Sequence, residues 1–198
     1  MVYNSAMNIK HKREVVLNAK QLRKNLPTTD YQLQKLRKTV DSRRNEIYII
    51  LDNVLDTYNI GSVFRLADAV AAKKIYLCGG SETPPNHRIK KASINTTEVV
   101  EWEYAESALQ AIRNLQFTIN NLQIVAVEQN ARSVSYDKFE YKLPLVLVVG
   151  HESDGVSKEV LEACDGIVEL PMFGINKSLN VMVSLGIVLY RVLSNTAA

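Results

Sequence analysis

Four short stretches hold the side chains able to do chemistry. They are Asn59-Ile60-Gly61-Ser62-Val63-Phe64-Arg65, Glu128-Gln129-Asn130, Gly150-His151-Glu152-Ser153-Asp154 and Ser178-Leu179-Asn180. Between them they offer a guanidinium, several carboxylates and amides, an imidazole and hydroxyls. The commoner site signatures are missing. No Gly-x-Gly-x-x-Gly follows an apolar run, no Gly-Lys-Ser/Thr phosphate loop is present, and no Gly-x-Ser-x-Gly elbow occurs. Cys78, Cys164, His11, His87 and His151 show no metal-ligand spacing. The polar stretches stand where apolar runs stop. In open parallel sheets that is where loop backbone and helix N-termini receive a ligand.

The elements that would position them can be read in order. Ile47–Leu51, Lys74–Cys78, Leu122–Val127, Leu145–Val149 and Gly166–Leu170 have the length and composition of buried strands. Ile60, Val63, Phe64 and Ala67 make one helical face after the first of them, with Arg65 on another. Strand, loop, helix and strand over 47–78 form a βαβ unit, which implies parallel pairing and a right-handed crossover. Ser81–Ala92 reads as a loop, Thr97–Trp102 as a short strand, Ala105–Asn114 as a helix and Ser133–Tyr141 as irregular. Ser157–Cys164 reads as a short helix, and Ser178-Leu179-Asn180 opens a long apolar one over 181–193. The fold class is therefore α/β, a mostly parallel sheet flanked by helices.

Charge divides the chain in two. Residues 1–45 hold 11 Lys/Arg and 3 Asp/Glu, a net of +8, whereas the rest carries a net of −5. Two helices are expected there, Lys10–Asn25 and Tyr31–Arg43, separated by Pro27-Thr28-Thr29-Asp30. We read 1–45 as a basic helical hairpin able to bind a polyanion, and 46–198 as the main domain. Met1–Lys10 has no apolar segment and no run is long enough to span a bilayer, so no membrane association is expected. Two cysteines in apolar context suggest reduced thiols and a cytoplasmic location.

Asn59–Arg65, Gly150-His151-Glu152 with Gly155-Val156-Ser157, Glu169-Leu170-Pro171-Met172-Phe173-Gly174 and Ser178-Leu179-Asn180-Val181 together resemble the three motifs of the TrmH (SpoU) branch of the SPOUT RNA methyltransferases. The resemblance covers about Ile47 to Leu193 and rests on three motifs in order. It implies a C-terminal trefoil knot, a homodimer, S-adenosylmethionine as methyl donor without a metal, and 2′-O-methylation of a ribose in tRNA or rRNA. DNA is not expected as a partner. Backbone groups at Val127, Gly150, Leu170, Met172 and Leu179, with Glu152 beside them, would hold the donor, Gly150 allowing close approach.

Arg65 is the residue the resemblance places at the reaction centre. A guanidinium stays protonated and is a poor base, so Arg65 is assigned to gripping the phosphate beside the target ribose. Its place near a helix start opposes the helix dipole, which favours a functional role. Asn59 would orient Arg65 or cap its helix. Glu152 would bind loop N–H groups or pair with Arg65. Ser178 would cap the last helix and touch the acceptor or donor, with Asn180 beside it. The family often has Asn or Ser where His151 stands; a loop hydrogen-bonding role is preferred for it over that of a base.

Arg23, Lys24, Arg43, Arg44, Arg88, Lys90 and Lys91 would contact RNA phosphates, with Tyr31 or Tyr58 stacking on a base. Two other readings stay open: methylation of a base nitrogen, which the Asn59–Arg65 motif disfavours, and a non-catalytic RNA-binding or ribosome-assembly protein keeping the fold.

Overall fold

The computed structural model describes residues 44–196. The expected hairpin, with Arg23, Lys24 and Arg43, lies outside the described residues. The elements run β1 (Asn45–Asp52), α1 (Thr57–Ala69), β2 (Ala72–Cys78), α2 (His87–Ser93), a 3₁₀ turn (Thr96–Glu98), β3 (Trp102–Ala105), α3 (Ala108–Thr118), β4 (Gln123–Val127), β5 (Val134–Ser135), β6 (Leu145–Gly150), α4 (Lys158–Ala163), β7 (Gly166–Glu169) and α5 (Val181–Thr196).

The seven strands form one sheet in the order β3-β2-β1-β6-β4-β7-β5, with every pairing parallel. The unbroken apolar run of β6 is explained by its place at the centre, where all six of its residues are buried. One face carries α1 and α5, packed through Ile60, Phe64, Leu185 and Leu189 onto Ile49, Leu51 and Leu147. The other carries α3 and α4, with Ile112, Leu115 and Val160 against Ile50, Ile124 and Val148. Strand order departs from chain order at β1 and β6, where the sheet grows in opposite directions. Asp52 pairs with Gly150 there, and Val127 pairs with Val168 two strands on. The register thus brings the polar stretches to one edge, as a topological switch point requires.

The differences from the sequence reading have local causes. The expected loop 81–92 contains α2, capped by Asn86, whose Oδ1 accepts the N–H groups of Arg88 (2.8 Å) and Ile89 (3.2 Å). The expected strand Thr97–Trp102 is a 3₁₀ turn and a bend, and only Trp102 belongs to a strand. Ile94 and Asn95 take positive φ values of 53° and 65°, which fold the chain so that Val99 and Val100 enter the core as turn residues. Helix α3 begins at Ala108 rather than Ala105 because Ser107 caps it. The irregular stretch 133–141 includes edge strand β5.

Arg44 is a correction of substance. Grouped with the RNA-binding cations, it is buried, and its guanidinium donates to the carbonyls of Ala72 (2.8 Å) and Val99 (2.5 Å). Arg44 and Asn45 therefore belong to the body that the sheet forms. Gly61 is required by contact: a Cβ there would stand 2.6 Å from Ala92 Cβ and 2.7 Å from the Ile89 carbonyl, so α1 and α2 touch through it.

Candidate active site

A chain of side-chain bonds joins three of the stretches. Helix α1 is capped by Asp56, whose Oδ1 accepts from Tyr58 N (2.7 Å) and Asn59 N (3.4 Å). This leaves the side chain of Asn59 free of the capping role considered for it. Asn59, itself buried, donates through Nδ2 to Glu152 Oε1 (3.0 Å) and accepts from Asn180 Nδ2 (3.0 Å). These partners are 93 and 121 positions away in the chain. Glu152 also accepts the backbone N–H groups of Asp56 (3.0 Å) and Leu55 (3.1 Å), and does not pair with Arg65. Asn180 Oδ1 accepts from Met182 N (2.9 Å) and so starts α5. The cap expected at Ser178 is thus made by Asn180.

These bonds set the charge state of Glu152. Burial raises its pKa, but the donations from Asn59, Leu55 N and Asp56 N outweigh burial and hold it below the ordinary 4.5. A carboxyl depressed in the fold stabilises it above the unfolded pKa, and that contribution is lost as pH falls through the folded value. We expect Glu152→Gln to lower stability at pH 7 and to flatten the acid limb below about 4.5. Urea denaturation between pH 3 and 7 reads both effects.

The loop after β6 closes on itself. His151 and Gly155 exchange backbone hydrogen bonds of 3.0 and 2.9 Å. Glu128 clamps the loop from β4, accepting Val156 N (2.9 Å) through Oε2 and Gln129 N (2.8 Å) through Oε1. Nδ1 of His151 accepts the N–H groups of Ser153 and Asp154, both at 3.1 Å. Asp154 Oδ2 also approaches Nδ1, at 3.3 Å. His151 therefore does the work of an Asx-turn acceptor. His151→Asn should keep donor-site affinity within about threefold, whereas His151→Ala should weaken it about tenfold. Calorimetry on both variants checks this. A Cβ at Gly150 would stand 2.2 Å from Gly155 C and O and from Val156 N, so its absence makes room for the returning chain.

Above the strand ends lies a cavity of about 390 Å³, within the usual size range of small-molecule sites. Val127, Gly150, Glu152, Leu170, Met172 and Leu179, the residues expected to hold a donor, all line it, and Ser178 and Asn180 join them. Among the described residues, the backbone N–H and C=O groups of Leu170, Met172 and Leu179 have no hydrogen-bond partner. Three carboxylates, of Glu128, Glu152 and Glu169, also line the cavity, and among the described residues no Lys or Arg does. Gln129, a wall residue to which sequence reasoning gave no role, donates through Nε2 to the Lys177 carbonyl at 2.6 Å.

Other expected site residues stand elsewhere. Arg65 is exposed on α1, outside the cavity lining, and makes no hydrogen bond or ion pair with a described residue. Arg88, Lys90 and Lys91 are exposed on α2. Among the described residues no cluster of His, Cys, Asp or Glu could hold a metal ion, and no helix is long and apolar enough to cross a membrane.

Sheet order and cavity define a doubly wound parallel α/β protein with a ligand cradle at its switch point. Residues 46–190 match the SpoU rRNA Methylase family, and the chain belongs to that family. It is 34% identical over 164 residues to the tRNA (guanosine(18)-2′-O)-methyltransferase of Aquifex aeolicus, covering 81% of this chain and 74% of that protein. It is 32% identical over 149 residues to the 23S rRNA (guanosine-2′-O-)-methyltransferase RlmB of Vibrio parahaemolyticus, covering 73% of this chain and 58% of that one. The chain thus spans little more than half of the latter relative.

Among solved structures, the A. aeolicus TrmH/SpoU tRNA modifying enzyme superimposes with a TM-score of 0.72 at 30% identity, over 84% of this chain and 83% of that one. An AdoMet-bound rRNA methyltransferase from Sinorhizobium meliloti gives 0.70 at 29% identity, over 80% and 59%.

Proposed function

We propose that this chain transfers the methyl group of S-adenosylmethionine to a ribose 2′-hydroxyl of tRNA or rRNA. The observation that carries this reading is the cavity wall. Unpartnered backbone donors and acceptors at Leu170, Met172 and Leu179 suit the edges of an adenine, and Val127 and Leu170 supply apolar flanks for its ring. A lining to which the described residues bring three carboxylates and no Lys or Arg suits a positively charged ligand. When bound, the donor supplies an electrophilic methyl group on a sulfonium. The chain's own part is to place the acceptor oxygen in line with it, a contribution of position more than of acid–base chemistry. Arg65 grips the phosphate beside the target ribose and polarises its hydroxyl. The Asn180–Asn59–Glu152 bonds fix α1, which carries Arg65, relative to the cavity.

The working unit on this reading is a homodimer. Arg65 stands outside its own chain's cavity, and Leu179, Val183, Ile187 and Tyr190 leave an apolar stripe exposed along the start and one face of α5. Pairing on that stripe covers it and lets a second copy bring its arginine to the site. A C-terminal knot is part of the same proposal, supported by α5 returning to pack beside α1 after the chain has passed through β6 and β7 on either side of β4. RNA phosphates are assigned to Arg88, Lys90 and Lys91 and to the basic segment holding Arg23, Lys24 and Arg43, with the half-exposed Tyr58 available to stack on a base. We place the protein in the cytoplasm, where the free thiols of Cys78 and Cys164 fit a reducing compartment.

The test is incubation with tritiated S-adenosylmethionine and separated tRNA and rRNA, followed by digestion to nucleosides. Label in 2′-O-methylnucleosides is the expected result. Label on a base would make the chain a base methyltransferase. Donor binding absent with RNA binding intact would make it a non-catalytic member of its family.

A further inference from the structure

The segment between β7 and α5 builds much of the cavity wall yet has little to hold it in place. Phe173 and Ile175 are fully exposed, and a Cβ added at Gly174 would meet nothing within 4 Å. Packing therefore does not fix residues 173–175. Among the described residues, one hydrogen bond reaches residues 171–179: Gln129 Nε2 to the Lys177 carbonyl at 2.6 Å. The next tie is at the start of α5, where Asn180 meets Asn59. Gln129 is itself well anchored. Its N–H is held by Glu128, the same carboxylate that clamps the Gly150–Val156 loop from the opposite wall.

Resting on the reading of this cavity as the donor site, we propose that Gln129 is a positioning residue: its side-chain N–H latches the 171–180 segment in the shape that presents Met172, Ser178 and Leu179 to the donor. The bond requires a donor at position 129, since its partner is a carbonyl. Without it, the polypeptide between Leu170 and Asn180 has no fixed point, and the wall must be ordered afresh at each binding event.

This assigns a direction that charge alone would reverse. Gln129→Glu keeps the shape but cannot donate, and a carboxylate there would electrostatically favour a donor whose net charge is positive. Gln129→Lys restores an N–H donor and adds the unfavourable charge. The latch makes Glu the damaging variant, raising the dissociation constant for S-adenosylmethionine about tenfold, and keeps Lys within about threefold of wild type. Calorimetry on the full chain without RNA measures both, and the melting temperature of each variant should match wild type within a few degrees.

A second readout needs no donor. Trypsin should release the fragment beginning at Ser178 several times faster from Gln129→Glu than from wild type, as followed by mass spectrometry. Equal cleavage rates together with wild-type affinity in Gln129→Glu, or tighter binding by Glu than by Lys, would overturn the latch. A wild-type chain that binds no donor would overturn the functional reading instead, while the cleavage rates would still decide whether Gln129 holds the segment.

Discussion

Arg65→Ala should cut methyl transfer by about a thousandfold in kcat while leaving the melting temperature and donor affinity at wild-type values. The two halves of this expectation come from different observations. Arg65 is exposed and makes no bond to a described residue, so its removal leaves no orphaned partner and no cavity. It lies outside the lining of its own chain's cavity and, in the proposed dimer, serves the acceptor rather than the methyl donor, so donor affinity is expected to hold. What is lost is a fixed cation at the acceptor, worth two to three orders of magnitude where such groups have been removed from reaction centres. Arg65→Lys should recover only a small part of the rate, because an ammonium lacks the planar fork that fixes a phosphate in two directions. Single-turnover assays with labelled donor separate the chemical step from binding. Turnover of Arg65→Ala near that of wild type would remove Arg65 from the reaction.

Gly150→Ala should be the most damaging single-methyl change in the molecule. A Cβ at this position would stand 2.2 Å from the carbonyl carbon and oxygen of Gly155 and from Val156 N. All three are backbone atoms, so no side chain can rotate away. Strand β6 is the buried centre of the sheet and cannot withdraw, hence the Gly150–Val156 loop must open. That breaks the His151–Gly155 pair and the Glu128 clamp, and it deforms the cavity floor. We expect a loss of about 3 kcal/mol in stability, the upper part of the range for overpacking, and loss of measurable donor binding. Gly174→Ala is the control: nothing lies within 4 Å of its added carbon, and its stability should match wild type. Chemical denaturation of the two variants side by side reads the difference.

Strands were legible in the sequence where burial on both faces forces a plain apolar run, as in 47–51 and 145–149. Helix α1 was legible because Ile60, Val63, Phe64 and Ala67 keep a helical period. Reading failed where a short element is defined by polar contacts. Helix α2 buries only Ile89 and Ser93, so its periodic signal is lost, and the available cue was Asn86 standing where a cap would be. The run Thr96-Thr97-Glu98-Val99-Val100 has strand composition, but two left-handed residues before it, Ile94 and Asn95, bend the chain, and such residues leave no apolar pattern. Arg44 counted as one more cation in a basic stretch; the carbonyls that bury it come from residues 28 and 55 positions away.

The site was legible by motif and not by contact. Of the expected site residues, eight (Val127, Gly150, Glu152, Leu170, Met172, Ser178, Leu179 and Asn180) stand on the cavity lining. Motifs could not say which oxygen takes which hydrogen. Asp56, Asn59 and Asn180 are all plausible caps by type, and only the fold assigns capping to Asp56 and Asn180 and cross-linking to Asn59, with Glu152 as its partner. Gln129 stood in a polar stretch but drew no role of its own, because its partner is a backbone carbonyl 48 positions away, which no residue type announces.

The measurement that bears most directly on this account is a crystal structure of the full chain grown with S-adenosylhomocysteine, the demethylated donor. The account places its adenine against the backbone of Leu170, Met172 and Leu179, with the sulfur toward the open side of the cavity. Density for the ligand anywhere else on the molecule, with this cavity left to solvent, would contradict it.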